Sequence, residues 1–341
     1  MGRVPMSAKA HIALLVGLLL ASLASAQDAH FTQFYAAPTY LNPAFAGSTA
    51  QSRVAMNYRH QWPSIPGAFV THNVAFDQFF SGINSGIGVM VTHDRAGSGA
   101  MTHTNIGLQY AYEVQLNRKW SFRPALHASV SQRSLDFNRL TFGDQLLRNN
   151  AGSTIDPDII QFSGQNAFYP DFGSGMLLYS EKLWFGVSAH HLNRPNESLL
   201  QQESRVPIRY SVHGGWRMRV NERNYNSPKQ HIVTAFHYRS QGDYDQLDIG
   251  VYYEYEPITF GVWYRGLPGV KQTTNYVNHD ALALMLGVEV KNIYIGYSYD
   301  ITISNLAVNT GGSHEVSLVS QFASRRKKKK TRQRLIPCAK F

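Results

Sequence analysis

Residues 105–116 read NIGLQYAYEVQL, and this stretch decides the fold class. Ile106, Leu108 and Tyr110 begin a row of apolar side chains at every second position, whereas the alternate positions, such as Gln109, are mostly polar or small. A period of two residues is that of a β-strand, whose successive side chains point to opposite faces. The stretch is therefore predicted to be a strand with one apolar and one polar face.

The same alternation recurs along the chain and predicts an all-β fold. The tightest connections follow even-numbered strands and the longest follow odd-numbered ones, so short turns and long loops gather on opposite sides. Several strands reach the ~9–11 residues that a tilted strand needs to cross a bilayer. In outer-membrane barrels the short turns face the periplasm. We therefore expect a single transmembrane antiparallel β-barrel of about fourteen strands in the lipid bilayer of the outer membrane, with both termini periplasmic. The predicted strands cover residues 53–59, 68–77, 86–93, 102–116, 119–132, 172–180, 183–191, 207–220, 229–240, 246–255, 258–266, 280–290, 292–300 and 313–322.

A soluble antiparallel barrel or sandwich shows the same alternation and is the alternative fold. Strands of globular sheets are usually ~5–6 residues long, shorter than most of those predicted here. Pro124 lies within a predicted strand and removes one ladder hydrogen bond, so it predicts either a bulge or an error in that strand.

Composition excludes several classes of protein. The chain has 341 residues, of which 43% are apolar, 12% aromatic and 16% charged, which excludes a disordered chain. The net charge of +10 is local, because residues 325–341 hold nine Lys or Arg and no acid. No nucleic-acid partner is therefore expected. The single cysteine, Cys338, excludes a disulfide framework and a thiolate metal site.

The N-terminus is predicted to be a secretory signal peptide, cleaved between Ala26 and Gln27 after a run of small residues. A membrane anchor is the alternative, but the apolar run over 12–20 is far shorter than the ~20 residues of a spanning helix. The expected organisation is a signal peptide over 1–26, an N-terminal periplasmic or plug-like segment over 27–52, the barrel over 53–322, and a basic C-terminal periplasmic tail over 323–341.

Charged side chains recur on the polar faces of the predicted strands, which would line the barrel lumen. Ionic networks in that place either seal a barrel or line a pore, and both interpretations stay open. A barrel of about fourteen strands is wide enough to need a plug unless it is an open channel. The N-terminal segment with Asn42-Pro43-Ala44 is the candidate plug. The lumen charges singled out are Arg123, Arg209, Arg217, Arg265 and Asp300.

No catalytic or metal motif of useful specificity is present, and neither an enzyme nor a cofactor is predicted. Ser188 and His190 share one face of a predicted strand, which leaves a barrel hydrolase as an alternative. His190 and His191 are adjacent on that strand, so their rings are expected on opposite faces rather than at a shared metal site.

Several stretches resemble the PorP/SprF family of outer-membrane proteins. They are QDAHFTQF (27–34), YLNPAFAG (40–47), YRHQWPSIPG (58–67), HDRAG (93–97), GYSYD (296–300) and GSHEV (312–316), and they occur in the family's order. The resemblance implies an outer-membrane barrel linked to type IX secretion and gliding. Family members help to secrete or anchor large surface proteins and engage periplasmic lipoproteins of the motor. The family-motif residues in the possible plug are Gln33, Phe34, Asn42, Pro43, Ala44 and Gly47.

We therefore expect an adaptor or anchor of the type IX secretion and gliding machinery. Its partners would be a secreted surface protein, either an adhesin or type IX cargo, and periplasmic or outer-membrane lipoproteins of the secretion motor. The outward loops over 60–67, 133–171 and 192–206 would hold the surface protein. An outer-membrane channel for hydrophobic or other small ligands, similar to fatty-acid channels, is the alternative. Candidate outward-loop contacts are Arg59, Gln61, Trp62, Pro66 and Gly67, and candidate periplasmic electrostatic contacts are Arg325, Arg326, Lys327, Lys328, Lys329 and Lys330.

Overall fold

The structure is a computed structural model that describes residues 28–49, 51–97, 101–136, 166–199, 203–220, 229–267, 279–303, 310–322 and 336–337. Among the described residues, no helix is long and apolar enough to cross a membrane. The strands are β1 (Ser52–Gln61), β2 (Phe69–Phe80), β3 (Ser85–Ala96), β4 (Met101–Tyr112), β5 (Val114–Gln115), β6 (Ser121–Ser134), β7 (Asn166–Tyr179), β8 (Leu183–His190), β9 (Arg209–Arg219), β10 (Gln230–Gln241), β11 (Tyr244–Tyr255), β12 (Ile258–Gly266), β13 (His279–Val290), β14 (Ile293–Thr302) and β15 (Ser313–Phe322). An α-helical turn (Pro38–Leu41) and a 3-10 turn (Pro43–Phe45) precede them.

Fourteen of these strands close into one antiparallel barrel. The ring closes where the first strand pairs with the last, from Ser52 opposite Phe322 to Gln61 opposite Ser313. The remaining strand, β5, is outside this count, because it only continues the path of β4 for two residues beside β6. The predicted all-β barrel of about fourteen strands is confirmed.

Pro124 lies inside β6 without a bulge. It pairs in unshifted register with Met176 of β7. On its other side the neighbouring strand stops at Tyr112 and resumes at Val114. Because proline has no N–H to donate, the ladder is interrupted at this point. The proline therefore divides its neighbour into β4 and β5 and does not end its own strand.

The barrel wall places its apolar side chains outside and its polar side chains inside, the reverse of the arrangement in a soluble protein. Leu126, which faces outward from β6, is 65% exposed, whereas the inward-facing Arg123 of the same strand is 0% exposed. The other strands repeat this arrangement, with apolar side chains outside and polar side chains inside. Such a wall is stable against hydrocarbon and would be costly in water. The alternation therefore belongs to a transmembrane barrel and not to the soluble alternative.

The two rims of the barrel differ in most of their connections, as predicted. We call them the short-turn rim and the long-loop rim. The short-turn rim carries the connections 81–84, 116–120, 180–182, 256–257 and 291–292, and the long-loop rim carries 62–68, 191–208 and 303–312. The two-residue turn 242–243 is an exception, because it lies at the long-loop rim.

Residues 28–49, here called the plug segment, run inside the barrel from the long-loop rim to the short-turn rim. Asp28 contacts Arg209 at the start of β9, whereas Gly47 bonds to Asp77 near the end of β2. Between these points the segment contacts inward residues of β4, β6, β8 and β15. Because these strands lie on different sides of the ring, the segment occupies the lumen.

The first described residue and the end of the last strand lie at opposite rims. Asp28 lies at the long-loop rim, whereas Phe322 ends β15 at the short-turn rim. The reason is that the chain traverses the lumen before it enters β1. The side of the membrane that each rim faces and the periplasmic position of both termini stay predictions.

Three predicted features fall largely outside the described residues. These are the signal cleavage at Ala26 and Gln27, the loop 133–171 except for its two ends, and the basic run from Arg325 to Lys330. Within the tail, Ile336 packs against the buried apolar cluster and Pro337 is buried. At least this part of the tail is therefore not a solvated extension.

Candidate functional site

The plug segment is built from two tight turns that meet at Asn42. Proline occupies the first turn's N-terminal end at Pro38, and Pro43 does the same in the second turn. At that position the missing N–H costs nothing and the fixed φ favours the turn. Asn42 caps the second turn, because its Oδ1 accepts the N–H of Ala44 at 2.9 Å. The Asn42-Pro43-Ala44 element is thereby a compact unit held by its own hydrogen bonds.

Asn42 also joins the plug segment to the barrel wall. Its Nδ2 donates to the carbonyls of Met176 at 3.2 Å and Val187 at 3.0 Å, and lies 3.2 Å from Nε2 of His213. Gly175 leaves room for the amide, since a Cβ there would sit 2.1 Å from Asn42 Oδ1. The site therefore requires a side chain that both donates and accepts, opposite a residue without a side chain.

Glu315 of β15 holds the backbone of the plug segment. Its carboxylate accepts the N–H of Thr32 at 2.7 Å and the N–H of Gln33 at 2.9 Å. The Gln33 amide donates to Ser298 Oγ at 3.2 Å and accepts from Ser317 Oγ at 2.6 Å. All five residues are buried. Buried polar groups of this kind depend on their partners, because no bulk water can replace a lost bond.

Glu315 belongs to a buried cluster of alternating charges. Arg59 pairs with Asp300 at 2.9 Å and with Glu315 at 3.2 Å. Arg265 pairs with Asp300 at 3.0 Å and with Asp248 at 2.7 Å. Removing one member of a buried pair typically costs about 3–5 kcal/mol, because the partner is left as an uncompensated buried charge. The cluster therefore strongly favours one arrangement of the wall around the plug segment.

A second set of contacts holds the plug segment towards the short-turn rim. Arg123 donates from Nε to the carbonyl of Ala44 at 3.1 Å and pairs with Glu113 at 2.9 Å. Asp77 accepts the N–H of Gly47 at 2.8 Å. Gly47 has a φ of 65°, in the left-handed region that favours glycine. This glycine lets the chain turn from the lumen towards β1 while its N–H remains bonded.

At the long-loop rim, Asp28, His191 and Arg209 form what we call the rim latch. The Asp28 carboxylate lies 2.7 Å from His191 Nε2 and 2.9 Å from Arg209 Nη1. Burial alone raises the pKa of Asp28, but the charges of His191 and Arg209 hold that pKa well below its usual range. Burial alone lowers the pKa of His191, but Asp28 and Asp171 raise it to about 10. The latch therefore joins a carboxylate to two cations at neutral pH.

The expectation that His190 and His191 point to opposite faces is wrong. The strand β8 ends at His190, and His191 adopts a left-handed φ of 59°, so both rings are buried. The described part of the chain contains no group of three or more His, Cys, Asp or Glu residues placed to hold a metal ion.

Ser188 and His190 do not form the outward Ser–His pair that a barrel hydrolase needs. Both are buried and face the lumen. The Ser188 hydroxyl donates to the carbonyl of Leu41 at 3.0 Å, so it serves as a structural contact with the plug segment.

Aromatic side chains fill the lumen beside the polar contacts. Phe34 meets Trp263 edge-on with ring centroids 4.8 Å apart. Trp184 donates from Nε1 to the Tyr35 hydroxyl at 3.0 Å. Two cavities along the lumen, bounded by described residues, measure about 20 Å³ each, enough for about one water molecule.

The structure places the predicted lumen charges on the inward face, and four of them lie against the plug segment or in the cluster that surrounds it. Arg217 lies nearer the short-turn rim and pairs with Glu254 at 2.6 Å. Arg59 departs from its predicted role as a loop contact. It lies within β1, is 2% exposed and pairs with lumen carboxylates, so it is unavailable to an external partner.

The remaining candidate loop contacts lie at the long-loop rim. Gln61 ends β1, and Trp62 packs edge-on against Phe69 with ring centroids 5.7 Å apart. Pro66 is exposed, and Gly67 has a left-handed φ of 82°. Their contact with a partner stays a prediction.

Three acidic residues that fix the plug segment are not among the candidate residues named from the sequence. Asp28 and Glu315 lie within stretches 27–34 and 312–316, so these motifs contained the available signal. Asp77 lies outside the family motifs. Only its place in the alternation of β2, which puts its side chain on the inward face, indicated a role in the lumen.

Three solved structures are similar to this chain at low sequence identity. The toluene transporter TbuX from Ralstonia pickettii has a TM-score of 0.47 at 10% identity, over 84% of this chain and 93% of TbuX. Omp33, an outer membrane protein of Acinetobacter baumannii, has a TM-score of 0.42 at 8% identity, over 81% of this chain and all (100%) of Omp33. CdiB from Acinetobacter baumannii has a TM-score of 0.44 at 7% identity, over 80% of this chain, which spans 60% of CdiB.

No curated protein sequence matches the chain. The family described as "Type IX secretion system membrane protein PorP/SprF" matches residues 23–319. That match covers the plug segment and nearly the whole ring of strands. The chain therefore belongs to the PorP/SprF family of type IX secretion system membrane proteins.

Proposed function

We propose that this protein is an outer-membrane anchor or adaptor of the type IX secretion and gliding machinery, and that it acts through its two rims. The observation that carries the proposal is the occupied lumen. The plug segment is held by Glu315, Asn42 and Arg123, whose contacts lie on different sides of the ring. A barrel filled in this way offers partners its rims and loops rather than a passage.

The long-loop rim is the proposed contact for a secreted surface protein, an adhesin or other cargo. Backbone hydrogen bonds tie its loops to their neighbours. The Trp62 N–H donates to the carbonyl of Gly312 at 2.8 Å, and Asn196 forms a β-bridge with Arg205. Loops held in this way present a defined surface, which suits recognition of a large folded partner better than free loops would.

The short-turn rim and the basic tail are the proposed contacts for periplasmic lipoproteins of the motor. The run from Arg325 to Lys330 consists of six consecutive cations. Such a run attracts an acidic partner through long-range electrostatics, and salt weakens the attraction. This orientation of the barrel follows the usual arrangement in which short turns face the periplasm.

Purification of the tagged protein from outer membranes in mild detergent, with mass spectrometry of the retained proteins, tests the proposal. A matched variant replaces all six residues of the basic run by glutamine. We expect the wild type to retain a large surface protein and motor lipoproteins, and the variant to lose lipoproteins while it keeps the surface protein. A barrel recovered alone, with bound fatty acid and steady conductance in planar bilayers, would contradict the proposal and favour the channel alternative.

A further inference from the structure

The outer wall carries a groove of about 810 Å³ on the lipid-facing side of β7 to β11. Its lining is almost entirely apolar and includes Trp120, Leu183, Trp216, Thr234 and Val251. The volume lies within the ~300–1,000 Å³ typical of small-molecule sites. We propose that this groove binds one acyl chain of an anionic glycerophospholipid, whose headgroup meets the cations at the short-turn rim.

The groove exists because two small side chains adjoin two large ones in a single row. In the register of the sheet, Leu183 lies opposite Trp216, Trp216 opposite Thr234, and Thr234 opposite Val251. All four face outward, and Leu183, Trp216 and Val251 are 44%, 45% and 46% exposed. Because threonine and valine have nearly the same size, the surface falls from Trp216 to Thr234 and Val251. A depression of this kind fits a flexible hydrocarbon chain, because the chain can follow it and remain in the bilayer.

Glycines make the floor of the groove close to the backbone. Gly215 and Gly250 both line it, and neither has space for a side chain on its inward face. A Cβ at Gly215 would lie 2.5 Å from the Trp184 ring, and a Cβ at Gly250 would lie 2.2 Å from the Trp263 ring. The rings of Trp184 and Trp263 therefore pack directly against the strand backbone from the lumen side, where the outer surface forms the groove.

Positive charge marks the short-turn end of the groove. Lys119 directly precedes Trp120 and Lys182 directly precedes Leu183, so two cations adjoin two lining residues. Arg118 is exposed in the same turn as Lys119, and Lys229 is exposed at the start of β10. The exposed acids described in this part of the rim are Glu181 and Glu256, and Glu256 lies 3.8 Å from Lys229. The exposed charge described here is net positive, as a phosphodiester headgroup requires.

The combination indicates a lipid rather than a soluble ligand or a second protein. The apolar part lies on the wall that faces hydrocarbon, and the cations lie where that wall meets the headgroup region. Tryptophans are favoured at this interface, and Trp120 and Trp216 both border the groove. Each lysine or arginine near an anionic lipid surface contributes a separate increment of binding.

Native mass spectrometry of the full-length barrel, titrated in detergent with phosphatidylglycerol or phosphatidylethanolamine, tests the proposal. We expect one phosphatidylglycerol to be retained in preference to phosphatidylethanolamine. Thr234→Trp should abolish this retention by filling the groove, whereas Val74→Trp, an outward substitution on β2, should leave it unchanged. The double variant Lys119→Gln, Lys182→Gln should weaken it by about fivefold for each lysine. Lys291→Gln, on the same rim away from the groove, should have no effect.

Several results would overturn the inference. Equal retention of the two lipids would show that the cations do not select the headgroup. Unchanged binding in Thr234→Trp would show that the lipid does not bind in the groove. Selective retention of lipid A would assign the groove to the other leaflet, and a dimer that dissociates in Thr234→Trp would assign it to a second copy of the chain. If Thr234→Trp fails to fold, the lysine variants decide alone, because they alter only exposed turn residues.

Discussion

Replacing Glu315 by alanine is expected to unseat the first half of the plug segment while the barrel stays folded. The carboxylate accepts the N–H of Thr32 at 2.7 Å and that of Gln33 at 2.9 Å. A buried donor that loses its acceptor costs about 1–3 kcal/mol, so the two amides together cost about 2–6 kcal/mol. Arg59 keeps Asp300 as a partner at 2.9 Å, so no further term is added for it. A central value of about 4 kcal/mol corresponds to a rise of roughly 10³-fold in the unseated population.

Hydrogen exchange of the Thr32 and Gln33 amides measures this population, because both residues are buried and their amide protons reach water only when the segment leaves its place. The purified protein is compared with Glu315→Ala and with Glu181→Ala, which removes an exposed carboxylate from the β7–β8 turn. We expect exchange about 10³-fold faster in the first variant and unchanged in the second. An acceleration below about tenfold, or about 1.4 kcal/mol, would refute the reasoning that this carboxylate seats the plug segment.

Other substitutions test the remaining contacts. Arg123→Ala leaves a buried carboxylate unpaired and should lower the free energy of unfolding by about 3–5 kcal/mol, measured by denaturant titration in detergent. Gly175→Ala places a Cβ 2.1 Å from a plug amide oxygen and should lower the melting temperature, whereas Gly82→Ala, with nothing within 4 Å, should not. The pKa of His191 is raised to about 10, so its stabilisation is full below its ordinary value of about 6.5 and is lost as pH rises towards 10. Proteolytic cleavage of the N-terminal segment should increase over that range, and His191→Gln should remove the dependence. The opposite group, Asp28, has a lowered pKa, so its contribution is lost only as pH falls below about 3.9.

The ring of strands was predictable because its signal is local. In residues 105–116 each side chain reports its own face, and a membrane barrel repeats that pattern in every strand. Pro124 shows the limit of this signal. The proline predicts a missing ladder hydrogen bond. The structure shows that the interruption lies in the neighbouring strand, and the sequence alone does not identify that neighbour.

The interior was less predictable, because strand parity gives the face of a residue and not its partner. Arg59 belongs to a motif that continues from a strand into a loop, which suggested an exposed position. It is buried because it pairs with Asp300, which lies 241 residues away in the sequence. His191 depended on a local change, the left-handed turn that ends β8. The route of the plug segment through the lumen likewise depends on long-range pairs such as Thr32 with Glu315, which no periodicity encodes.

The central claim is that the chain's own N-terminal segment closes its barrel, so that the protein works at its rims. Conductance of the full-length protein in planar lipid bilayers tests this claim most directly, with Glu315→Ala as the variant that loosens the plug segment. We expect no steady conductance from the wild type and brief openings from the variant. A stable open channel in the wild-type protein would contradict the account, because the lumen would then be a passage.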